Sequence, residues 1–293
     1  MPRLFCFGLG YTALALARRL RAEGWQVGGT CREPDRATAL HADGIAAIVA
    51  DGDRPPADPD RLIADATHLL ASVPPDAAGD PALALWGPAI ARHHRGLAWV
   101  GYLSTTGVYG DRDGGWVDEA SPLAPTGERG QRRLEAEAAW SALIADGVPV
   151  HLFRLAGIYG PGRSALDTVR AGRAQRVVKL GQVFSRVHVD DIARSLAASI
   201  AAPRPGAVYN VCDDNPAPPD EVIAFACELL GVAPPPEIPF DQAELSEMAR
   251  SFYADNKRVS NRLIKQELGV RLEYPDYRAG LQALWQQERF ERM

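Results

Sequence analysis

The sequence predicts an α/β fold: a doubly wound parallel sheet with a smaller, interleaved C-terminal α/β domain. Three observations predict it. The opening stretch "LFCFGLGYTALALARRL" reads as a short apolar strand, a glycine turn and a helix. Strand-like runs then alternate with helical stretches of roughly ten or more residues, the pattern of a parallel sheet covered on both faces. After Tyr159 that pattern changes, and from Pro216 onward the chain is proline-rich and mostly helical.

The elements follow in order. Leu4 to Phe7 is the first strand and Gly8-x-Gly10-x-x-Ala13 the turn. Tyr11 to Glu23 is a helix stopped at Gly24. The glycines let the backbone turn sharply and approach a pyrophosphate. Ala13 lets helix and strand pack closely, and the first helical amides face the phosphates, as in a Rossmann fold. The same stretch also reads as a secretory signal, with Arg3, an apolar run and the small residues of "ALALA". Gly8, Gly10 and the Arg18-Arg19 pair weigh against that alternative. Further strands are "WQVGGTC", "GIAAIVAD", "ATHLLASV", "LAWVGYLS" and "VPVHLFRL", with helices at Pro81 to His94 and Glu128 to Asp146. Beyond "GPGR" come a short helix, the strand-like "RVVKL", and "VFSRVHV" and "GAVYNV" as extensions of the sheet. The expected division is residues 1–160 with 187–212 as the dinucleotide-binding domain, and 161–186 with 213–293 as the smaller substrate-binding domain.

Composition limits the function classes. The chain has 293 residues, 46% hydrophobic and 24% charged, so it can bury a core. A net charge of −5 argues against nucleic acid or an acidic membrane as partner. No apolar run reaches the ~18 residues of a membrane span. Cys6, Cys31, Cys212 and Cys227 form no CxxC and read as single buried thiols in a reducing cytoplasm. No His or Cys pair has metal-ligand spacing, so no metal is expected.

Ligands on such sheets bind beyond the carboxyl ends of the strands. The expected cofactor crevice is therefore lined by the turn (Gly8, Leu9, Gly10, Tyr11, Thr12, Ala13) and by the strand ends. Those ends supply Thr30, Arg32 and Arg36; Asp51; Ser72, Val73 and Pro74; and Leu155, Ala156 and Gly157.

"STTGVYGD", "FRLAGIYGPGR", "RVHVDDIA" and "YNVCDDNP" stand in the order used by extended short-chain dehydrogenases/reductases. The chain resembles that family over nearly its whole length, and most closely an atypical subgroup of NAD-dependent epimerase/dehydratase type. The resemblance implies that the N terminus is the cofactor turn rather than a signal. It also implies a nucleotide-linked sugar as substrate, and homodimers formed through the helices near 81–94 and 128–146. The departures carry as much information. The family's catalytic tyrosine and lysine lie four residues apart before an "LEAE"-like stretch, and here those places hold Arg129 and Arg133. A solvated helix face beside Glu128 and Glu135 is the other reading of the two arginines. The family's Ser/Thr falls on Thr105, whose hydroxyl could instead simply satisfy backbone, and its supporting Asn falls near Asp80. Tyr109 is the candidate substitute phenol, with core packing as the alternative for both Tyr109 and Tyr159.

Where NAD enzymes place an acid for the ribose 2′-hydroxyl, about 20 residues past the glycines, this sequence has Thr30-Cys31-Arg32. Arginine suits a 2′-phosphate and predicts NADP rather than NAD; the alternative is a solvated loop arginine. The resemblance puts Asp51 near the adenine, and a turn-forming Asp before Gly52 is the other reading. Between Arg163 and Arg186 stand six basic residues and one acid, Asp167. Arg163 and Arg186 occupy motif positions and are expected, as exposed charges, to hold a diphosphate. Arg170, Arg173 and Arg176 read as a solvated helix face, and Asp190-Asp191 as acids at a helix start. Two functions remain: an NADP-dependent epimerase, dehydratase or reductase, and an NADP(H)-binding sensor without turnover. A purely structural partner protein is a weaker third.

Overall fold

The computed structural model describes residues 1–51 and 54–291. The first half runs β1 (Arg3–Phe7), α1 (Tyr11–Ala22), β2 (Gln26–Cys31), α2 (Pro34–Ala42), β3 (Ala46–Val49), α3 (Pro59–Ala64), β4 (His68–Ala71), α4 (Pro81–His93), β5 (Trp99–Thr105), β6 (Trp116–Val117) and α5 (Glu128–Ala142). The second half runs β7 (Val150–Leu155), β8 (Gly157–Tyr159), α6 (Ala165–Arg170), β9 (Arg176–Val178), β10 (Arg186–His188), α7 (Val189–Ala201), β11 (Val208–Val211), α8 (Pro219–Leu230), β12 (Glu237–Pro239), α9 (Glu247–Phe252), β13 (Arg258–Val259), α10 (Arg262–Glu267) and α11 (Tyr277–Glu291).

Seven strands form one parallel sheet in the order β11-β7-β5-β4-β1-β2-β3. The chain builds outward from β1 to β3, crosses back to β4, and then builds outward the other way. The switch between β1 and β4 opens a crevice at the carboxyl ends of the strands. Alternate side chains of each strand enter opposite cores, as the twofold pleat requires. Leu4, Cys6, Leu70, Leu103 and Phe153 pack with α1 and α7 on one face. Phe5, Phe7, Leu69, Ala71, Val100 and Tyr102 pack with Trp86 of α4 and Trp140 of α5 on the other.

"GAVYNV" extends the sheet at its edge as β11, as expected. The expectation for "VFSRVHV" is corrected. Its strand β10 pairs with β8 in a separate two-stranded sheet, because the chain peels away from the main sheet at Ala156. A further core joins Tyr159, Leu166, Val222, Tyr277 and Leu281 from β8, α6, α8 and α11. All four cysteines are buried and unpaired. Among the described residues, no helix is long and apolar enough to cross a membrane.

Candidate functional site

The turn after β1 has the shape and free donors that could hold a phosphate. Gly8 adopts φ +89°, and a Cβ there would also lie 2.8 Å from Val73 Cγ1. Its N–H donates to Thr30 Oγ1 at 2.8 Å, and Leu9 N–H donates to Thr30 O at 2.7 Å, so β2 holds the turn open. Gly10 stands at the N-cap of α1 with no side-chain cap, and the first turn carries no acid. A Cβ at Gly10 would meet nothing within 4 Å. Free helix amides, a positive helix end and open space above the glycine fit the diphosphate of a dinucleotide. Thr12 and Ala13 are buried behind the turn, and Ser72 Oγ donates to Gly8 O.

At the ends of β2 and β3, Arg32 is exposed, and Arg36 donates to Leu9 O at 3.2 Å, over the glycine turn. Asp51 pairs with Arg54 at 2.6 Å, and that guanidinium also donates to Arg32 O at 3.0 Å. Sequence reasoning missed Arg54. The i,i+3 spacing of the two charges was the available signal.

The candidate catalytic residues separate sharply. Thr105 ends β5 with its hydroxyl accepting from Gly107 N–H at 3.1 Å, at the crevice. Arg133 donates to Leu103 O and stacks over Tyr102 with its guanidinium carbon 5.7 Å from the ring centroid. β4 ends at Ala71, paired with Tyr102, so Arg133 covers the stretch of β5 just past that partner. Arg129 is exposed, 5.8 Å from the Phe252 ring. Two expectations are corrected. Asp80 is the N-cap of α4: Oδ1 accepts from Ala82 N–H and Leu83 N–H, and Oδ2 accepts from Trp140 Nε1 at 3.1 Å. Burial pushes its carboxyl up, but the group is spent on packing α4 against α5. Tyr109 is fully buried; its hydroxyl donates to Asn210 Oδ1 at 2.7 Å and accepts from Arg154 at 3.0 Å. It belongs to a closed network in which Arg154 pairs with Glu137 and Ser104 also donates to Glu137.

The basic segment also divides. Arg170 pairs with Glu288, Arg176 pairs with Glu237, and Lys179 donates to Tyr253 O. Arg163, Arg173 and Arg186 instead line one cavity of about 550 Å³, with Tyr159, Tyr277 and Leu281 among its other walls. Arg173 is exposed, as expected, but stands in the turn after α6 rather than on a helix face, at the rim of this cavity. Asp167 faces the same cavity but is committed to a capping box with Ser164. The Tyr277 hydroxyl is buried with no hydrogen-bond partner among the described residues. The cavity adjoins the crevice: Arg186 lies opposite Gly157 in register, and a Cβ at Gly157 would sit 3.8 Å from Arg186 Cγ. Arg163 stacks over Tyr11 at 5.8 Å, which ties the cavity rim to the start of α1. Burial pushes the nearby Asp213 carboxyl up to about 8, despite the Arg186 charge beside it.

Arg186 is not the exposed charge expected from sequence. It donates to Phe184 O and Ala217 O, both at 2.9 Å, and so ties β10 to the start of α8. Arg186→Ala is expected to lower Tm by roughly 5 °C or more, and Arg163→Ala to leave it nearly unchanged. Differential scanning fluorimetry of the two variants checks this; equal Tm values would remove the structural role. Asp190 and Asp191 both fall in the first turn of α7, as expected. Asp191 does more: its buried carboxylate accepts from Glu273 N–H at 2.8 Å and Tyr274 N–H at 2.9 Å.

No family model matches the chain. Protein YeeZ of Escherichia coli (strain K12) is 30% identical over 292 residues, which cover 94% of this chain and 97% of YeeZ. The chain belongs to the YeeZ family. A conserved protein of unknown function from Silicibacter pomeroyi is 53% identical, with a TM-score of 0.90 over 98% of this chain and 99% of that one. MoeE5 in complex with UDP-glucose and NAD shares the fold at a TM-score of 0.80 over 100% of both chains, with 20% identity. The fold of this YeeZ-family protein is that of the extended short-chain dehydrogenases/reductases, as its motifs imply.

Proposed function

We propose that this YeeZ-family protein binds NADP(H) in the crevice and acts by hydride exchange on an anionic, nucleotide-linked sugar. The reaction class is epimerase, dehydratase or reductase. The observation that carries the proposal is the arginine-lined cavity opening beside Gly157, at the strand end that also faces the dinucleotide turn. A bound nicotinamide dinucleotide supplies the hydride donor or acceptor. The chain supplies the rest. The α1 amides and Gly8-x-Gly10 hold the diphosphate. Arg32 and Arg36 face the 2′-phosphate, Asp51 the adenine side, and Ser72-Val73-Pro74 and Leu155-Ala156-Gly157 the walls. Arg133 takes the place of a ribose-binding lysine. Arg163 and Arg186, joined by Arg173, hold the substrate's phosphates. That MoeE5 carries UDP-glucose and NAD on the same fold supports the pairing of ligands. Buried, unpaired thiols suit a reducing cytoplasm.

NADPH is expected to bind roughly ten-fold or more tightly than NADH, and Arg32→Glu to abolish that preference, since a charge-assisted contact is at stake. Titrating both cofactors into both proteins checks it; equal affinities in the wild type end the NADP assignment. The second reading, an NADP(H) sensor without turnover, is favoured by one observation. Arginines fill the tyrosine and lysine places, while Asp80 and Tyr109 are locked in structural contacts. Consumption of bound NADPH separates the two readings.

A further inference from the structure

The end of β3 carries an acid where a 2′-phosphate would need none. Asp51 lies two residues past Val49, the partner of Cys31 at the end of β2, so its carboxylate stands beside the loop that holds Arg32. A phosphate monoester carries about −1.5 to −2 charge at neutral pH, and a bare carboxylate there repels it. In this chain the carboxylate is engaged. Oδ1 accepts from Arg54 N–H at 2.9 Å, and Oδ2 accepts from Arg54 Nε at 3.2 Å and Nη2 at 2.6 Å. That Nη2 also donates to Arg32 O at 3.0 Å, so the guanidinium is fixed at the β2 end rather than turned outward.

Resting on the NADP(H) assignment above, we propose that Arg54 is a specificity-determining residue. By neutralising Asp51 it makes the β2–β3 end compatible with a 2′-phosphate. Its charge acts on the cofactor through Asp51, so removing Arg54 withdraws that countercharge, and removing both restores tolerance of the phosphate.

The test is a fluorescence titration of NADPH and of NADH into wild type, Arg54→Ala, Asp51→Asn and the double variant Asp51→Asn/Arg54→Ala. Melting curves check that each stays folded; the pair is partly exposed, at 56% and 23% for the two side chains, and no loss is expected. Arg54→Ala is expected to weaken NADPH roughly ten-fold and NADH less than about three-fold, with the difference shrinking at high salt. Asp51→Asn/Arg54→Ala is expected to recover most of the NADPH affinity. Equal weakening of both cofactors by Arg54→Ala overturns the proposal and leaves Arg54 a loop-holding residue. A double variant as weak for NADPH as the single one also overturns it. If wild type binds both cofactors equally, the NADP(H) assignment fails and takes this proposal with it. If wild type prefers NADPH and Arg54→Ala keeps that preference, the proposal fails alone.

Discussion

Replacing Glu137 by alanine is expected to cost about 3–5 kcal/mol of stability. Glu137 of α5 and Arg154 of β7 pair at 2.8 Å, with side chains only 4% and 5% exposed. The carboxylate also accepts from Ser104 of β5, and Arg154 extends the network to Tyr109 and, through its hydroxyl, to Asn210 of β11. Removing the carboxylate strands a buried guanidinium that cannot shed its proton, and it orphans the Ser104 hydroxyl. Glu137→Gln keeps an acceptor and is expected to fall in between. Replacing both partners with methionine is expected to recover much of the loss, because the desolvation cost leaves with the charges. By contrast, breaking the exposed Arg92–Asp60 pair should leave the unfolding midpoint unchanged. Denaturant unfolding of Glu137→Met, Arg154→Met and the double variant, read as a cycle, measures the coupling. A Glu137→Ala loss below about 1 kcal/mol would show that water reaches the pair.

This network also marks the limit of what the sequence makes legible. Local patterns carried the architecture. Apolar runs spaced by helices gave the parallel sheet, and Gly8-x-Gly10 before a helix gave the turn. Side-chain direction after a strand end is not a local property. Tyr109 follows Thr105 in a segment that borders the crevice, yet the tight turn Thr106–Tyr109 rotates it inward to meet Asn210, 101 residues away. Asp80 was legible in part. Asp directly before Pro81 is a helix-start signature, and the cap it forms is what that signature means. Its second partner, Trp140, was not, since that contact exists only once α4 and α5 share a face of the sheet. The arginine cavity was half legible. A cluster of positive charge was visible, but its division into paired and cavity-facing members depends on Glu237, Glu288 and Tyr277, which arrive from the end of the chain.

Wild-type protein is expected to bind NADPH yet turn over nucleotide sugars about 10²–10⁴-fold more slowly than a variant carrying Arg129→Tyr with Arg133→Lys. That factor is what a positioned general acid or base contributes, and none of Arg129, Arg133, Asp80 and Tyr109 is placed to supply it. Arginine stays charged near neutral pH and does not shuttle protons. Arg129 sits exposed in the first turn of α5 against Phe252. Arg133 follows four residues later on the same face, bound to Leu103 O, where it can offer charge and hydrogen bonds but no proton. Asp80, at the place of the family's supporting Asn, is held as a helix cap, and Tyr109, the candidate phenol, is closed into the core. Thr105 remains, with a hydroxyl that accepts from Gly107 N–H and keeps its own proton to donate. A lone hydroxyl can orient a carbonyl or alcohol, but without a phenolate–cation pair beside it the proton transfer is slow. Putting tyrosine and lysine at these two helical positions restores that pair without touching the buried network beneath. Stopped-flow absorbance of protein-bound NADPH, mixed with a panel of nucleotide sugars and keto-sugars, measures the rates. Fast wild-type turnover that survives Arg129→Ala, Arg133→Ala and Thr105→Ala would put the chemistry on other residues of the crevice.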